Sequence, residues 1–238
     1  MKRLSFVLAL ASLMTVTFGC SDTQTSAPAA PADVVREQAV TQNPGIIPPQ
    51  ARPHGLSYSE WSEIWWQWLF SIPIDENPGL DPDGRFVALN QSGQVWFLAP
   101  NFGGGQVDVR YATIPAGKML FIDIAAILGS PALGDPEDID ELYALISALV
   151  DGIVEVSFSV DGAIAGVEGY RVRSGLFRLE LPENNVLGLE PGSYFPAAAE
   201  GYYVMLAPLS AGDHTLHIFA DFGEVFGTSD VTFHLAVE

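Results

Sequence analysis

Short runs of alternating apolar and polar residues fill most of the chain beyond residue 84, and they constrain the fold more than any other feature. Alternation with a period of two is typical of strands that bury one face. Turn signals such as Ser92-Gly93 and Asp161-Gly162 separate the runs, and the second has the chemistry of a two-residue hairpin. We expect strands at 85–90, 94–98, 106–113, 119–124, 153–160, 169–173, 176–181, 202–206, 214–221 and 230–237.

Two segments have a helical pattern instead. Ser57 and Glu60 have the spacing of a capping box, and Pro73 closes the run that follows, which predicts a helix between them. Its apolar stripe is nearly all tryptophan, namely Trp61, Ile64, Trp65, Trp68 and Ile72. A second helix is predicted over 136–150, with Asp135 as its cap. The expected buried face of this helix is Ile139, Leu142, Tyr143, Ile146 and Leu149 or Val150.

The order of these elements indicates the fold class. Strands precede and follow the second helix without a regular alternation of strand and helix. That order favours an antiparallel β-sandwich, jelly-roll or immunoglobulin-like, with two helical insertions. The 238 residues are 48% hydrophobic, which is enough for one domain with a substantial core. We therefore expect a mainly β fold, with a single sandwich domain over 55–238.

The first 19 residues have the composition of a signal peptide. Lys2 and Arg3 precede an apolar stretch, and a small residue stands just before Cys20. The end of this segment, TFGC at 17–20, resembles a bacterial lipobox, in which the cysteine is acylated after cleavage. Cys20 is the only cysteine in the chain, which favours lipidation over an ordinary signal peptide with an incidental cysteine.

The lipobox resemblance implies a localisation. Acyl chains such as palmitate would anchor the protein to a membrane, since each buried methylene contributes about 0.8 kcal/mol. Ser21 stands where an aspartate would suggest retention at the inner membrane. The resemblance therefore implies the outer membrane or the cell surface, on the periplasmic or extracellular face. Residues 20–54 are rich in Pro, Ala, Ser and Thr, which predicts a flexible linker behind the anchor.

The charge balance excludes one class of partner. The chain carries 29 acidic and 10 basic residues, a formal net charge of −19. Lys2 and Arg3 lie in the segment expected to be removed, so the mature chain is more acidic still. A surface of this sign repels phosphate backbones, and no basic patch offsets it. We therefore do not expect nucleic acid to be a partner.

Four segments together carry a resemblance to a known family. They are EWSEIWWQW at 60–68, QSGQVWFL at 91–98, IPAGKMLF at 114–121 and GYYVMLAPLSAGDHT at 201–215. In combination they resemble a family of uncharacterised secreted bacterial proteins, over most of residues 57–238. The resemblance implies an exported, sheet-rich architecture and no particular activity. Members of that family often carry cysteines near the positions of Ala88 and Ala112, so a disulfide there is absent from this chain.

An acidic loop is the candidate metal site. Five oxygen-bearing side chains lie within nine residues, and Ca²⁺ takes six to eight such ligands. The spacing does not meet the EF-hand pattern, and Asp and Asn also favour ordinary solvated turns. Calcium is thus the candidate cofactor and plain turns are the alternative. The candidate ligands are Asp75, Glu76, Asn77, Asp81 and Asp83.

Two tryptophans are candidate ligand-binding residues. Trp66 lies off the main helical stripe together with Phe70, and Trp96 lies in the expected strand 94–98. Exposed aromatic rings can stack on a sugar, whereas large rings at core spacing usually pack against a sheet. An exposed patch that includes Trp66 or Trp96 would favour a binding module.

Few residues suggest catalysis. The sequence has no nucleophile elbow of the G-x-S-x-G type, and no Ser-His-Asp grouping can be assembled from it. With no cysteine beyond Cys20, thiol catalysis is excluded in the folded domain. Asp123 stands within an apolar run, where burial would raise its pKa and make it a candidate site residue.

The histidines offer a poor metal site. His214 and His217 are three residues apart, so they face opposite sides of a strand. If the last two strands pair, His214 and His234 can share a face, with ordinary cross-strand pairing as the alternative. Two ligands without a third are too few for zinc.

These observations favour a lipid-anchored, acidic envelope or cell-surface protein with a binding or structural role. Its expected partners are the membrane, through the anchor, and a glycan or a surface protein. The alternative is a secreted hydrolase of glycans or esters that uses carboxylates and is stabilised by calcium, because 29 acidic residues always offer candidate pairs. No catalytic motif is found, so the enzyme is the less favoured hypothesis.

The anchor can be tested directly. We expect Cys20→Ser to release the protein from membranes into the soluble fraction, because the mutant has no thiol to acylate. Detergent phase partitioning of both forms measures this, and a mutant that still partitions with the detergent would contradict the anchor.

Overall fold

The structure, a computed structural model, describes residues 45–238. The expected signal peptide, Cys20 and most of the expected linker lie outside the described residues. The described helices are α1 (Tyr58–Phe70), α2 (Ile139–Asp151) and α3 (Gly223–Phe226). The described strands are β1 (Ile46–Ile47), β2 (Val95–Leu98), β3 (Gln106–Ile114), β4 (Met119–Gly129), β5 (Glu155–Val160), β6 (Ala163–Ala165), β7 (Arg171–Arg173), β8 (Phe177–Leu181), β9 (Gly192–Leu206), β10 (Gly212–Asp221) and β11 (Thr228–Val237).

The strands form two sheets that pack face to face. Sheet 1 has the order β1-β9-β4-β2, with β7 and β8 also paired to β9. Sheet 2 has the order β3-β11-β10-β5-β6. The mainly β sandwich with helical insertions is therefore confirmed. Both sheets are mixed, because β2–β4 and β3–β11 are parallel pairs. The chain crosses to sheet 2 as β3 and returns to sheet 1 as β4, which lets β4 run beside β2 in the same direction.

The central strands of sheet 1 are buried on both faces. In β4, Leu120 and Ile122 face sheet 2, whereas Phe121 packs in the core beneath α1. In β9, Val204 faces sheet 2 and Tyr203 faces α1, and both side chains are fully buried. Strands covered on both faces are almost continuously apolar in sequence, as the run MLFIDIAAI of β4 is.

Helix α1 covers the outer face of sheet 1. It begins at the expected capping box, in which Ser57 Oγ accepts from the Glu60 N–H and Glu60 Oε2 accepts from the Ser57 N–H at 2.7 Å. Its tryptophans pack on the sheet, and each indole N–H donates a hydrogen bond to a neighbouring group. Trp65 Nε1 donates to the Leu98 carbonyl at 3.0 Å, and Trp68 Nε1 donates to the Leu89 carbonyl at 2.9 Å. The core-packing interpretation of the tryptophan stripe is confirmed.

Helix α2 starts three residues later than the sequence predicts. Asp138, not Asp135, is its cap, because the Asp138 side chain accepts from the N–H groups of Asp140 and Glu141. Asp135 instead accepts from the Ser130 N–H at 2.8 Å. The buried residues of α2 are Leu142, Ile146 and Val150, part of the predicted face. Within residues 45–238, no helix is long and apolar enough to cross a membrane.

The strand expected at 85–90 is wrong: this segment is a series of turns. Its backbone groups bond to nearby side chains and to Trp68 of α1 rather than to a neighbouring strand. Asp81 Oδ2 accepts from the Phe86 N–H at 2.7 Å, and the Gln91 amide donates to the Val87 carbonyl. The alternation of apolar residues there reflects one side packed on the core, not a sheet.

Strand β9 begins ten residues before the expected strand 202–206. Its first part pairs with β8, and its middle part packs closely on β4. At Gly201 a side chain would lie 2.3 Å from the Ala125 carbonyl oxygen, so only glycine fits there. At the N-terminal end, β1 pairs with the end of β9, so the folded sandwich starts before residue 55.

A buried ion pair ties sheet 2 to the loops beside it. Arg110 on β3 is fully buried, and its Nη2 donates to Asp108 at 2.9 Å. Its Nη1 donates to the carbonyls of Pro78 and Ala99, at 2.8 and 2.7 Å. Burial lowers the pKa of Arg110 even with Asp108 beside it. One guanidinium therefore fastens the loop around Pro78 and the end of β2 to β3.

The ion pair predicts a large effect of one substitution. We expect Arg110→Met to lower the free energy of unfolding by about 3–5 kcal/mol, because the Asp108 carboxylate would remain buried without its partner. Urea unfolding of purified protein measures the change. Arg85→Met is the matched control, since Arg85 pairs with Asp83 in solvent, and little change is expected there. Equal losses in the two variants would contradict the assigned role.

Candidate functional site

The acidic loop contains two kinds of side chain. Asp75, Glu76 and Asp83 are exposed, whereas Asn77 and Asp81 are buried. The buried pair makes structural hydrogen bonds. The Asn77 amide donates to the carbonyls of Leu69, in the last turn of α1, and Ile72, just after it, at 2.7 and 3.2 Å.

The three aspartates of this loop also have protein partners. Asp81 accepts from the N–H groups of Asp83 and Phe86. Asp83 Oδ1 pairs with Arg85 at 2.9 Å, and Asp75 Oδ2 accepts from Asn184 at 2.7 Å. Among the described residues, no group of three or more His, Cys, Asp or Glu side chains is placed to hold a metal ion. Calcium binding here stays a prediction, and the turns hold together through their own hydrogen bonds.

The two candidate tryptophans are buried. Trp66 is 5% exposed and donates to the Tyr203 hydroxyl at 2.8 Å, and its ring stacks on Phe70. Trp96 is 9% exposed and packs between the sheets. Neither ring lies in an exposed aromatic patch, because Trp66 packs on sheet 1 and Trp96 packs between the sheets, and ligand binding by these two residues stays a prediction. Exposed aromatic rings occur elsewhere.

Asp123 is a buried acid, as the sequence suggests. It lies on β4 opposite Tyr203, next to an irregularity in the ladder, and its Oδ1 has no hydrogen-bond partner among the described residues. Burial raises the pKa of Asp123 well above its ordinary value, and it also raises that of the fully buried Tyr203. The side chain is buried, with 4% of the residue exposed, so its protonation state bears on the stability of the fold.

A second polar cluster joins α2 to β9. The nearly buried Glu200 accepts from Ser147 at 2.7 Å and pairs with Arg171 and Arg173 at 2.6 and 2.9 Å. Partial burial alone would raise the pKa of Glu200, but these donors outweigh it and lower the pKa. Opposite charges neutralise each other here, so the cluster acts as a fastening between elements.

The outer face of sheet 2 carries the exposed aromatic surface. Helices α1 and α2 both pack on sheet 1, and the outward side chains of β3 are open to solvent. Tyr111 on β3 is 64% exposed, and its ring stacks on His234 of β11 with centroids 5.0 Å apart. The register continues this row to Thr215 on β10, which lies opposite His234.

A groove of about 540 Å³ lies along this row. That volume is in the range of small-molecule sites. An aromatic ring, an imidazole, hydroxyl groups and one carboxylate face outward there. The residues that supply them are Tyr111, Thr113, Asp213, Thr215 and His234, and His214 borders the groove from the opposite face of sheet 2. We call this the Tyr111 groove.

His214 at the edge of the Tyr111 groove stands between a serine and an aspartate. Its Nδ1 lies 2.7 Å from Asp161 Oδ2, and its Nε2 lies 3.2 Å from Ser210 Oγ and 3.0 Å from the Ser210 carbonyl oxygen. The hydrogen bond that His214 donates to Asp161, with the Ser210 carbonyl and the charges of Asp161 and Asp213, raises the pKa of His214. Asp161 is itself held by the Thr215 N–H at 2.8 Å.

The proposed pairing of His214 with His234 is wrong. The last two strands do pair as expected, but His214 lies opposite Leu235, and His234 lies opposite Thr215. This register is one residue away from the one that would place the two imidazoles side by side. His214 bonds to Asp161, and His234 stacks on Tyr111.

A second groove, of about 630 Å³, lies at the opposite end of sheet 2 beside Phe226. Its wall includes Gly104 and Gly105, whose N–H groups already donate to the carbonyls of Phe226 and Thr228. Its carboxylates are Asp221 and Glu224, and Asp221 accepts from the Gly223 N–H. The Tyr111 groove offers more chemistry for a ligand, because it combines a free ring face with several donors and acceptors.

The residues of the Tyr111 groove were not singled out together by the sequence. Asp161-Gly162 was identified as a hairpin turn, and both central residues do have positive φ, 51° and 77°. The one signal in the sequence was Ser210, four residues before His214 at the start of an expected strand. This pair indicates a site only together with Asp161, which the fold places beside His214.

Comparison with known proteins identifies no relative. No protein-family model and no curated protein matches the chain. Solved structures with partial similarity include "Structure of PbICP-C in complex with falcipain-2", at 10% identity and a TM-score of 0.25, covering 61% of this chain and 100% of that one. Another is "Solution Structure of Amebosin", at 13% identity and a TM-score of 0.23, covering 62% of this chain and 100% of that one. Similarity at these TM-scores carries no argument about fold or function.

The buried acid predicts a pH-dependent stability. Because the folded-state pKa of Asp123 is raised, its contribution is most favourable at low pH and is lost as pH rises through that pKa. We expect Asp123→Asn to be more stable than the wild type at neutral pH, with a gap that narrows toward about pH 4 by up to about 1.4 kcal/mol per pH unit. Urea unfolding at several pH values measures the gap, and a gap independent of pH would contradict a buried neutral carboxyl.

Proposed function

We propose that this chain is a lipid-anchored, acidic protein of the bacterial envelope or cell surface with a binding role, and that its ligand lies in the Tyr111 groove. The observation that carries the binding role is the exposed Tyr111 ring, which is fixed by stacking on His234 within a groove. An aromatic ring that keeps one face free while the other is packed is ready to stack on a ligand without further ordering.

The surroundings of the ring favour a neutral glycan as the ligand. Thr113 and Thr215 supply hydroxyl groups and Asp213 supplies an acceptor, which suit the hydroxyl groups of a sugar. The acidic surface of the protein, with Asp213 at the groove, disfavours anionic ligands. The anchoring that supports this localisation rests on the sequence alone, on the signal-like segment and Cys20.

The alternative of a carboxylate hydrolase is less well supported at this groove. Both retaining and inverting glycoside hydrolysis generally need two carboxyl groups, one on each side of the scissile bond. Among the described residues lining the Tyr111 groove, Asp213 is the only acid. A binding role needs no second carboxylate, which is why it is the better proposal.

Glycan binding tests the proposal. We expect the purified protein to be retained on immobilised neutral polysaccharide, and Tyr111→Ala to weaken binding about tenfold through loss of stacking. Tyr111→Phe keeps the ring and should retain most of the affinity. Phe195→Ala is the matched control, because Phe195 on β9 is also an exposed aromatic residue, 56% exposed, but stacks under Arg178 of β8. Equal affinity of Tyr111→Ala and the wild type would refute the proposal.

A further inference from the structure

Three side chains next to the Tyr111 groove are aligned in a way that the binding role does not use. Ser210 precedes β10, and His214 is the third residue of that strand. Asp161 is in the β5–β6 hairpin turn. The distances are 3.2 Å from Ser210 Oγ to His214 Nε2 and 2.7 Å from His214 Nδ1 to Asp161 Oδ2. A serine, a histidine and an aspartate joined in this order are recognised by geometry and not by their order in the chain.

We propose that Ser210, His214 and Asp161 form a catalytic triad in which Ser210 is the nucleophile and a carboxylic ester bound at the exposed end of β10, beside Ser210, is the substrate. This proposal goes beyond the binding role and does not need the ligand to be a glycan. It also differs from a carboxylate hydrolase, since no acidic residue attacks the substrate or donates a proton to it.

Solvent access and rigidity of the three groups fit these roles. Ser210 is exposed, so its hydroxyl can reach a substrate, whereas the His214 side chain is only 12% exposed and is held in place. Asp161 accepts from both His214 and the Thr215 N–H, which fixes the carboxylate that orients the imidazole. His214 lies opposite Leu235, so its side chain is on the face of sheet 2 opposite to Tyr111 and His234, and a substrate would reach Ser210 at the exposed end of β10.

The reaction requires no external cofactor. Ser210 Oγ forms a bond to the ester carbonyl carbon while its proton passes to His214 Nε2. The tetrahedral intermediate then breaks the bond to the alcohol, which leaves with the proton from Nε2. Water, giving its proton to Nε2, attacks the acyl-serine and releases the carboxylic acid. The proton returns to Ser210 Oγ, and the enzyme is restored.

The protonation state of His214 decides whether the triad is active. As an imidazolium it donates from Nδ1 to Asp161 and from Nε2 to the Ser210 carbonyl at 3.0 Å. As a neutral ring with its proton on Nδ1, it presents a lone pair on Nε2 to Ser210 Oγ. The charged groups facing it are Asp161 and Asp213, and both favour the imidazolium, so activity should rise with pH through the raised pKa.

Covalent labelling with a fluorophosphonate tests the proposal on the full chain. The probe forms a phosphorus–oxygen bond to an activated serine and releases fluoride. We expect one adduct, located on Ser210 by peptide mass mapping, with a labelling rate that rises between about pH 6 and 9. Ser210→Ala should not be labelled, and His214→Asn should be labelled about 10²-fold more slowly or less.

Two further variants keep the test decisive. Ser193→Ala should label like the wild type, because Ser193 is exposed and bonded to Glu180 at 2.7 Å but has no histidine beside it. Asp161→Asn replaces His214→Asn if the latter does not fold, since asparagine tolerates the φ of 51° at that position.

Three outcomes overturn the triad: no labelling of Ser210, a labelling rate that does not change with pH, or a rate in the folded histidine or aspartate variant equal to that of the wild type. The three residues would then only fasten the loop before β10 to the hairpin turn. Glycan retention is measured separately through Tyr111, so failure of one proposal is distinguishable from failure of the other.

Discussion

The central strands of sheet 1 are apolar on both faces, and the rest of the architecture follows from the need to cover both. Leu120, Ile122 and Val204 require a second sheet, and Phe121 and Tyr203 require a helix with large apolar side chains. Burial of an apolar side chain contributes roughly 1.5–3 kcal/mol, so leaving either face open would cost more than the domain's net stability. The tryptophans of α1 serve this purpose by packing on sheet 1.

Sheet 1 is covered on one face by sheet 2 and on the other by the helices, whereas in the described part of the chain sheet 2 is covered only on its inner face. Its inner face completes the sandwich core, whereas among residues 45–238 both long helices pack on sheet 1, and Tyr111 and His234 lie on the outer face of sheet 2. A rigid sheet is a suitable base for a site, because neighbouring strands hold the side chains of a row at constant spacing. The candidate site is thus on the one broad face of the sandwich that stability does not require to be covered.

Polar groups in the interior have different consequences according to how well they are paired. Arg110 is fully buried, yet it has Asp108 and two carbonyl oxygens, so it joins β3 to two loops. Asp123 has no such partners on Oδ1, and burial therefore keeps its carboxyl protonated over a wider pH range. Asp81 is compensated by backbone N–H groups of the next residues, which is why part of the acidic loop is inside the protein.

The sequence by itself determined the features that depend on a few neighbouring residues. The capping box at Ser57, the Asp161-Gly162 hairpin turn, the tryptophan stripe and most strands were predicted because each rests on side chains within one or two turns of chain. Predictions failed where a local pattern had two interpretations, as in 85–90. Its alternation suits a strand, but its backbone groups bond to the side chains of Asp81 and Gln91.

Only the tertiary structure decided the candidate site. Asp161 and His214 are 53 residues apart, and Tyr111 reaches His234 across parallel strands. A shift of one residue in register would turn these side chains to the other face, and register is set by packing of the whole sandwich rather than by any short segment.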